Sequence, residues 1–162
     1  MKRLTVVLLV TLAASVAATS SAQAAPPTHE RVPVNKTFFD ESCGFRVQTH
    51  VTGFVLTIEW VDEDGTTRRF EAFPQGRATH TNLRTGESIT VNTAGPAHTT
   101  EHPDGSLTVV GTGTWGFGNH PETGEPGIFQ VAGRWVFSID AQGNESFRFA
   151  GRVRDLCNEL AA

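Results

Sequence analysis

From Cys43 onward, apolar and polar residues alternate with a period of two. Phe45, Val47, Thr49 and Val51 alternate with Arg46, Gln48, His50 and Thr52. Phe54, Leu56, Ile58 and Trp60 alternate with Val55, Thr57 and Glu59. Such alternation buries one face of a β-strand and wets the other. The runs end at turn signals. Asp62-Glu63-Asp64-Gly65 closes the second run, and residues 66–73 read as its hairpin partner. Arg84-Thr85-Gly86, Asp104-Gly105 and Ala141-Gln142-Gly143-Asn144 have the same form, Gly after polar residues between alternating segments, which marks hairpins. The pattern is clearest late in the chain. Phe129, Val131, Trp135, Phe137 and Ile139 share one face, then Phe147, Phe149 and Val153 follow with Ser146, Arg148 and Arg152 opposite. Gly111, Gly113, Gly133 and Gly151 fall on inward positions, where glycine favours bends or room for an opposing ring. Only residues 154–162 read as helical. About eight short strands with hairpin-length links predict an all-β fold, a small antiparallel up-and-down β-barrel with a short C-terminal helix. A two-sheet β-sandwich is the alternative.

The N-terminus has a different pattern. Met1-Lys2-Arg3 is basic, an apolar run follows from Leu4 to Ala18, and Ala22-Gln23-Ala24 closes it. This is the form of a secretory signal peptide. Cleavage is expected after Ala24, with Ala25 as the alternative. Residues 1–24 are then the signal peptide. Residues 25–41, polar and Pro-containing, form an extended N-terminal arm, and residues 42–162 form a single β-barrel domain. No later run approaches the ~18 apolar residues of a membrane helix, so no membrane anchor is expected. The expected location is extracellular.

Export changes how charge and cysteine read. The chain has 162 residues with 13 Lys+Arg and 17 Asp+Glu. Loss of Lys2 and Arg3 leaves eleven basic and 17 acidic residues, a net charge of −6. Such a chain repels phosphate backbones and anionic lipid surfaces, so neither nucleic acid nor membrane is an expected partner. Cys43 and Cys157 are the only cysteines. Two lone cysteines outside the cell most often pair. The bridge would tie the first core strand to the C-terminal end.

The chain carries few strings with chemical meaning. His98-Thr99-Thr100-Glu101-His102 fits the inverted zinc-protease pattern, but Gly95-Pro96 and Pro103-Asp104-Gly105 leave no room for the helix that chemistry needs. His50, His80 and His120 are scattered. No metal site and no cofactor are expected. Asp62-Glu63-Asp64-Gly65 lacks the later ligands of a calcium loop. Gly113-Thr114-Trp115 echoes the Gly-x-Trp of lipocalin-type barrels, but from mid-chain. No Gly-x-Ser-x-Gly elbow occurs. Residues 119–127, with His120, Pro121 and Pro126, read either as a Pro-stiffened connection or as a lid.

With Thr81-Asn82-Leu83-Arg84-Thr85-Gly86, Pro103-Asp104-Gly105-Ser106 and Asp155-Leu156-Cys157, the chain resembles a group of small secreted proteins of high-GC Gram-positive (actinobacterial) bacteria. The mature chain's ten Arg to one Lys fits that source. The resemblance implies secretion and an all-β fold, and it assigns no catalytic residue. Three functions are open. The first is a binding module for a small apolar ligand or a protein, with Trp60, Trp115 and Trp135 as the contacts, since aromatic rings supply large contact area. The second is an isomerase or cyclase resembling allene oxide cyclase-like and dirigent-like barrels, for which inward-facing His80 and Asn82 would be the polar groups. The third is a structural or inhibitory extracellular protein. A monomer is expected.

Overall fold

A computed structural model describes residues 26–162. The signal peptide read at residues 1–24 lies outside the described residues. The strands are β1 (Thr28–Asp40), β2 (Val47–Val61), β3 (Thr67–Ala72), β4 (Arg77–Asn82) and β5 (Ser88–Asn92). They continue with β6 (Pro96–Glu101), β7 (Leu107–Asn119), β8 (Pro126–Ile139) and β9 (Glu145–Asp155), before the short helix α1 (Leu156–Leu160). The fold is all-β and every ladder is antiparallel.

The nine strands form one sheet in the order β5-β4-β2-β3-β6-β7-β8-β9, with β1 on the remaining edge of β2. The ladders do not close this sheet into the expected barrel. Among the described residues no pairing joins β9 to β1 or to β5, so the sheet is not closed. Nor is the path a simple meander, because β3 and β4 both pair with β2, one with each half. The segment read as an extended arm is β1, which pairs with β2 over thirteen residues.

The two alternating runs at 45–52 and 54–60 are one strand. Nothing between Val51 and Phe54 makes a turn, and the β1–β2 register runs unbroken through Gly53. The change of phase is instead a change of buried face. Val47 and Thr49 are buried on one side of β2, while Phe54, Leu56, Ile58 and Trp60 stand on the other, half-buried. Facing residues in a ladder share a side, so the pairings place Ala78, His80 and Asn82 of β4 with Val47, Thr49 and Val51.

Glycines mark the line along which the sheet folds. Gly113, Gly133 and Gly151 are register partners across β7, β8 and β9. Gly113 has φ +93°, and a Cβ there would lie 2.7 Å from the Ala94 carbonyl oxygen and 2.9 Å from the Gly95 Cα. Backbone approaches backbone here without room for a side chain. Folding along this line brings the two halves of β7–β8–β9 face to face. Trp115 meets Trp135 edge-on at 5.4 Å, and Phe117 meets Phe147 at 5.8 Å.

The core lies at the other end. Val47, Ala78, Val91 and Ile128 pack with Leu156 and Leu160 of α1. Asp155 caps α1 by accepting from the Asn158 backbone N–H at 3.1 Å. The Cys43–Cys157 disulfide, with Cα atoms 5.1 Å apart, fixes α1 beside the start of β2. Aspartates hold the turns. The Asp104 carboxylate accepts from the Ser106 hydroxyl and backbone N–H, and the Asp140 carboxylate from the Asn144 side-chain amide and backbone N–H, which holds both below the usual carboxylate range.

Candidate functional site

Where β1, β2 and β4 face β7, the sheet lines an open-sided pocket of about 280 Å³. Its walls are mainly apolar, from Val51, Phe73, Ala78, Trp115, Phe117 and Ile128. Phe38 stands at the margin with half its surface exposed. Three polar side chains enter this lining. Thr49 and His80 are direct partners in the β2–β4 ladder, and both are buried, at 1% and 6% exposure. Thr93 follows β5, and its hydroxyl oxygen is buried with no hydrogen-bond partner among the described residues. Asp40 also touches the pocket, but its carboxylate accepts from the Ser42 backbone N–H at 2.7 Å and from the Ser42 hydroxyl.

The position of His80 follows from strand parity. The alternating residues of β4 that face the core are Ala78, His80 and Asn82, so an imidazole is forced inward between a small residue and an amide. Its Nδ1 lies 2.9 Å from the Thr49 Oγ1. Its Nε2 has no partner among the described residues. Burial lowers the His80 pKa below its ordinary value, because the low-polarity surroundings disfavour the imidazolium. The ring is therefore neutral at neutral pH, fixed through one nitrogen and free at the other. Such a group can hydrogen-bond a ligand or move a proton.

The structure separates the other residues singled out by sequence. Trp115 lines the pocket, with its Nε1 donating to the Thr112 carbonyl at 2.8 Å. Trp135 lies behind Trp115, over Gly111, and does not line the pocket. Trp60 stands on the opposite face of β2 from Thr49 and Val51, away from both. Asn82 is fully buried and structural. Its amide donates to the Leu160 carbonyl at 2.9 Å, and its oxygen accepts from the Arg84 N–H at 2.9 Å. Of the five, His80 and Trp115 share the site. Thr49, Thr93, Phe73 and Phe117 were not singled out. Thr49 alternates in phase with Val47 and Val51 in the sequence, which is a legible sign of a hydroxyl facing inward.

The histidine strings resolve into separate places. His98 and Glu101 belong to strand β6, three residues apart and so on opposite faces. His50 bonds Asn35 at 2.8 Å, and His120 packs on Phe129 at 5.1 Å. Residues 119–127 form a compact turn rather than a lid, with the His120 N–H on the Glu125 carbonyl and the Gly124 N–H on the His120 carbonyl. No group of three or more His, Cys, Asp or Glu side chains gathers for a metal among the described residues. No helix among them is long and apolar enough to cross a membrane.

Fold and site thus define a disulfide-linked, curled antiparallel sheet with an aromatic pocket and one buried neutral imidazole. No family model, no curated protein and no solved structure matches the chain.

Proposed function

We propose that this chain is a secreted binding protein that holds a small, mainly apolar molecule in the pocket between β4 and β7. The single observation that carries this reading is the combination at that pocket. Aromatic and aliphatic walls surround a free His80 Nε2 and an unpartnered Thr93 hydroxyl. The apolar walls supply contact area, and the two polar atoms orient the ligand. At about 280 Å³ the pocket sits just below the range of ~300–1,000 Å³ for drug-sized ligands. The ligand is therefore a single ring or a short chain carrying one or two hydrogen-bonding groups. In this reading the curled sheet serves as an incomplete barrel around its ligand, and the disulfide suits an extracellular site.

A second reading rests on the Thr49–His80 contact at 2.9 Å. An imidazole fixed through Nδ1 can pass a proton at Nε2, as an isomerase or cyclase requires.

The test begins with the protein recovered from its host's culture medium and weighed by native, then denaturing, mass spectrometry. Extra native mass that vanishes on denaturation supports the binding reading and gives the ligand's mass. Purified protein is then titrated with 4-nitroaniline, a neutral single-ring dye with hydrogen-bonding groups, and binding is read by quenching of tryptophan fluorescence. Saturable one-to-one binding, weakened at least tenfold by Phe117→Ala, is expected. Dye binding that Phe117→Ala and Trp115→Ala leave unchanged would overturn the assignment of this pocket. If the captured molecule is converted by wild type and not by His80→Gln, the second reading replaces the first.

A further inference from the structure

The ten arginines of the described chain are unevenly placed. Register partners share a side of the sheet, so the side of each charged strand residue can be traced through the ladders. One side carries Arg31, Arg68, Arg77, Arg134, Arg148, Arg152 and Arg154, of which Arg68 pairs with Asp62 of the turn after β2 and Arg154 with Glu159 of α1. No strand position on that side carries a carboxylate. Glu59, Glu71, Glu101 and Glu145 all trace to the opposite side, as do Glu30, Asp40 and Asp155. The strand carboxylates are thus confined to one side, which Arg69 and Lys36 share, while the other side carries only cations.

The arginines concentrate on the outer side of the fold in β8 and β9. Arg134 opposes Ala150 and Arg152 opposes Ala132, so Arg148, Arg134 and Arg152 are cross-strand neighbours around one point. All three are exposed, and none makes an ion pair among the described residues. Like charges this close on a sheet are destabilising, and no nearby strand residue offsets them. Two depressions of mixed polar and apolar lining flank the cluster. Arg134, Arg148, Ser138 and Ser146 line one, and Arg152, Arg154, Gln130 and Thr114 help to line the other. Same-face neighbours along a strand lie about 6.6 Å apart, so donors recur at short intervals along β9.

We propose that this side of β8–β9 is a binding surface for a phosphate-bearing polymer with a non-aromatic backbone. Guanidinium forks match phosphate oxygens in pairs. Each depression also offers hydroxyl donors, which suits an anion with several acceptor oxygens. The β8 and β9 positions that face this side, from Gln130 to Ser138 and from Ser146 to Arg154, hold no aromatic residue, and Phe149, which borders one depression, belongs by register to the opposite side with Trp135, so nucleic-acid bases find no row of stacking rings. The surface lies apart from the pocket under "Proposed function" and does not depend on it.

The test uses the full mature chain and fluorescently labelled inorganic polyphosphate, with binding read by anisotropy. Binding at low salt is expected, with affinity falling as salt rises. A slope of about −2 to −3 in log affinity against log salt is expected from three unpaired arginines. Arg148→Gln with Arg152→Gln is expected to weaken binding at least tenfold and to reduce that slope by about 1.5. Arg69→Gln removes a charge paired with Glu59 on the other side, and is expected to change nothing. Unchanged melting midpoints confirm that the variants fold. Trp115→Ala is expected to leave polyphosphate binding intact, so failure of either reading is seen separately. Absence of binding at 20 mM salt, or a double variant that binds as wild type, overturns the proposal. So does equal or tighter binding of polyglutamate or duplex DNA, or of orthophosphate at matched phosphate concentration.

Discussion

Gly133→Ala tests the fold line where it is tightest. A Cβ on Gly133 would stand 2.7 Å from the Gly151 Cα and closer still to the Ala150 carbonyl oxygen. Both obstacles are backbone of the paired strand β9, so no side-chain rotation relieves them. Overpacking costs about 1–3 kcal/mol where neighbours can adjust, and here the ladder itself must open, which places the cost near the top, about 3 kcal/mol. Against a typical domain stability of about 5–15 kcal/mol this is a large share. At roughly 4 °C per kcal/mol for a domain of this size, the melting midpoint falls by about 12 °C. The assay is thermal unfolding by circular dichroism with the disulfide intact, followed in parallel by tryptophan fluorescence, since Trp115 and Trp135 meet across the fold. Gly116→Ala is the control. It lies on the same hairpin with nothing within 4 Å of its Cβ position, and should be neutral or slightly stabilising. A Gly133→Ala protein melting within about 2 °C of wild type would refute the close-approach argument.

Three further outcomes follow from other parts of the molecule. Reducing the disulfide should lower stability by about 4–5 kcal/mol in the chain-entropy model, given a sequence separation of 114, as read by urea unfolding with and without reductant. Asn82→Ala should cost about 2–3 kcal/mol, because it strands the buried Leu160 carbonyl and the Arg84 N–H, and hydrogen exchange should show α1 opening first. His80 links stability to pH. Burial lowers its folded pKa, so below the ordinary value of 6.5 the unfolded chain takes up a proton that the folded chain refuses. Stability from this residue is therefore complete above pH 6.5 and is lost as pH falls, and His80→Gln should flatten the urea midpoint between pH 8 and pH 5.

The sequence makes the local elements legible and leaves their assembly hidden. The turns at Asp62–Gly65, Arg84–Gly86, Asp104–Gly105 and Ala141–Asn144 are readable because polar and glycine residues act over a few positions. The inward glycines signal a curved sheet, and curvature is what they produce. The continuity of β2 is not readable, since a change of apolar phase between Val51 and Phe54 looks the same whether the chain turns or the sheet exchanges its buried side. The polar segment 28–40 escapes detection as a strand because β1 is an edge, where alternation weakens. At the site, His80 and Trp115 are visible as types of residue, but only pairing across β2 and β4 reveals that Thr49 orients the imidazole. Trp60 misses the pocket because register sets it on the other face of β2, whereas Trp135 has the pocket's face but packs behind Trp115 over Gly111, which the sequence pattern does not show.

The link between Cys43 and Cys157 makes a covalent ring of everything from the start of β2 to α1, and β1 alone among the strands hangs outside it. A protease that cuts one hairpin inside the ring, at Asp104–Gly105 for instance, releases no fragment until the sulfurs are reduced. A cut between Asp40 and Cys43 frees β1 outright, held only by its ladder to β2. The ring can thus be nicked and stay whole, while the first strand is the one part of the sheet that can be exchanged, removed or supplied by another chain.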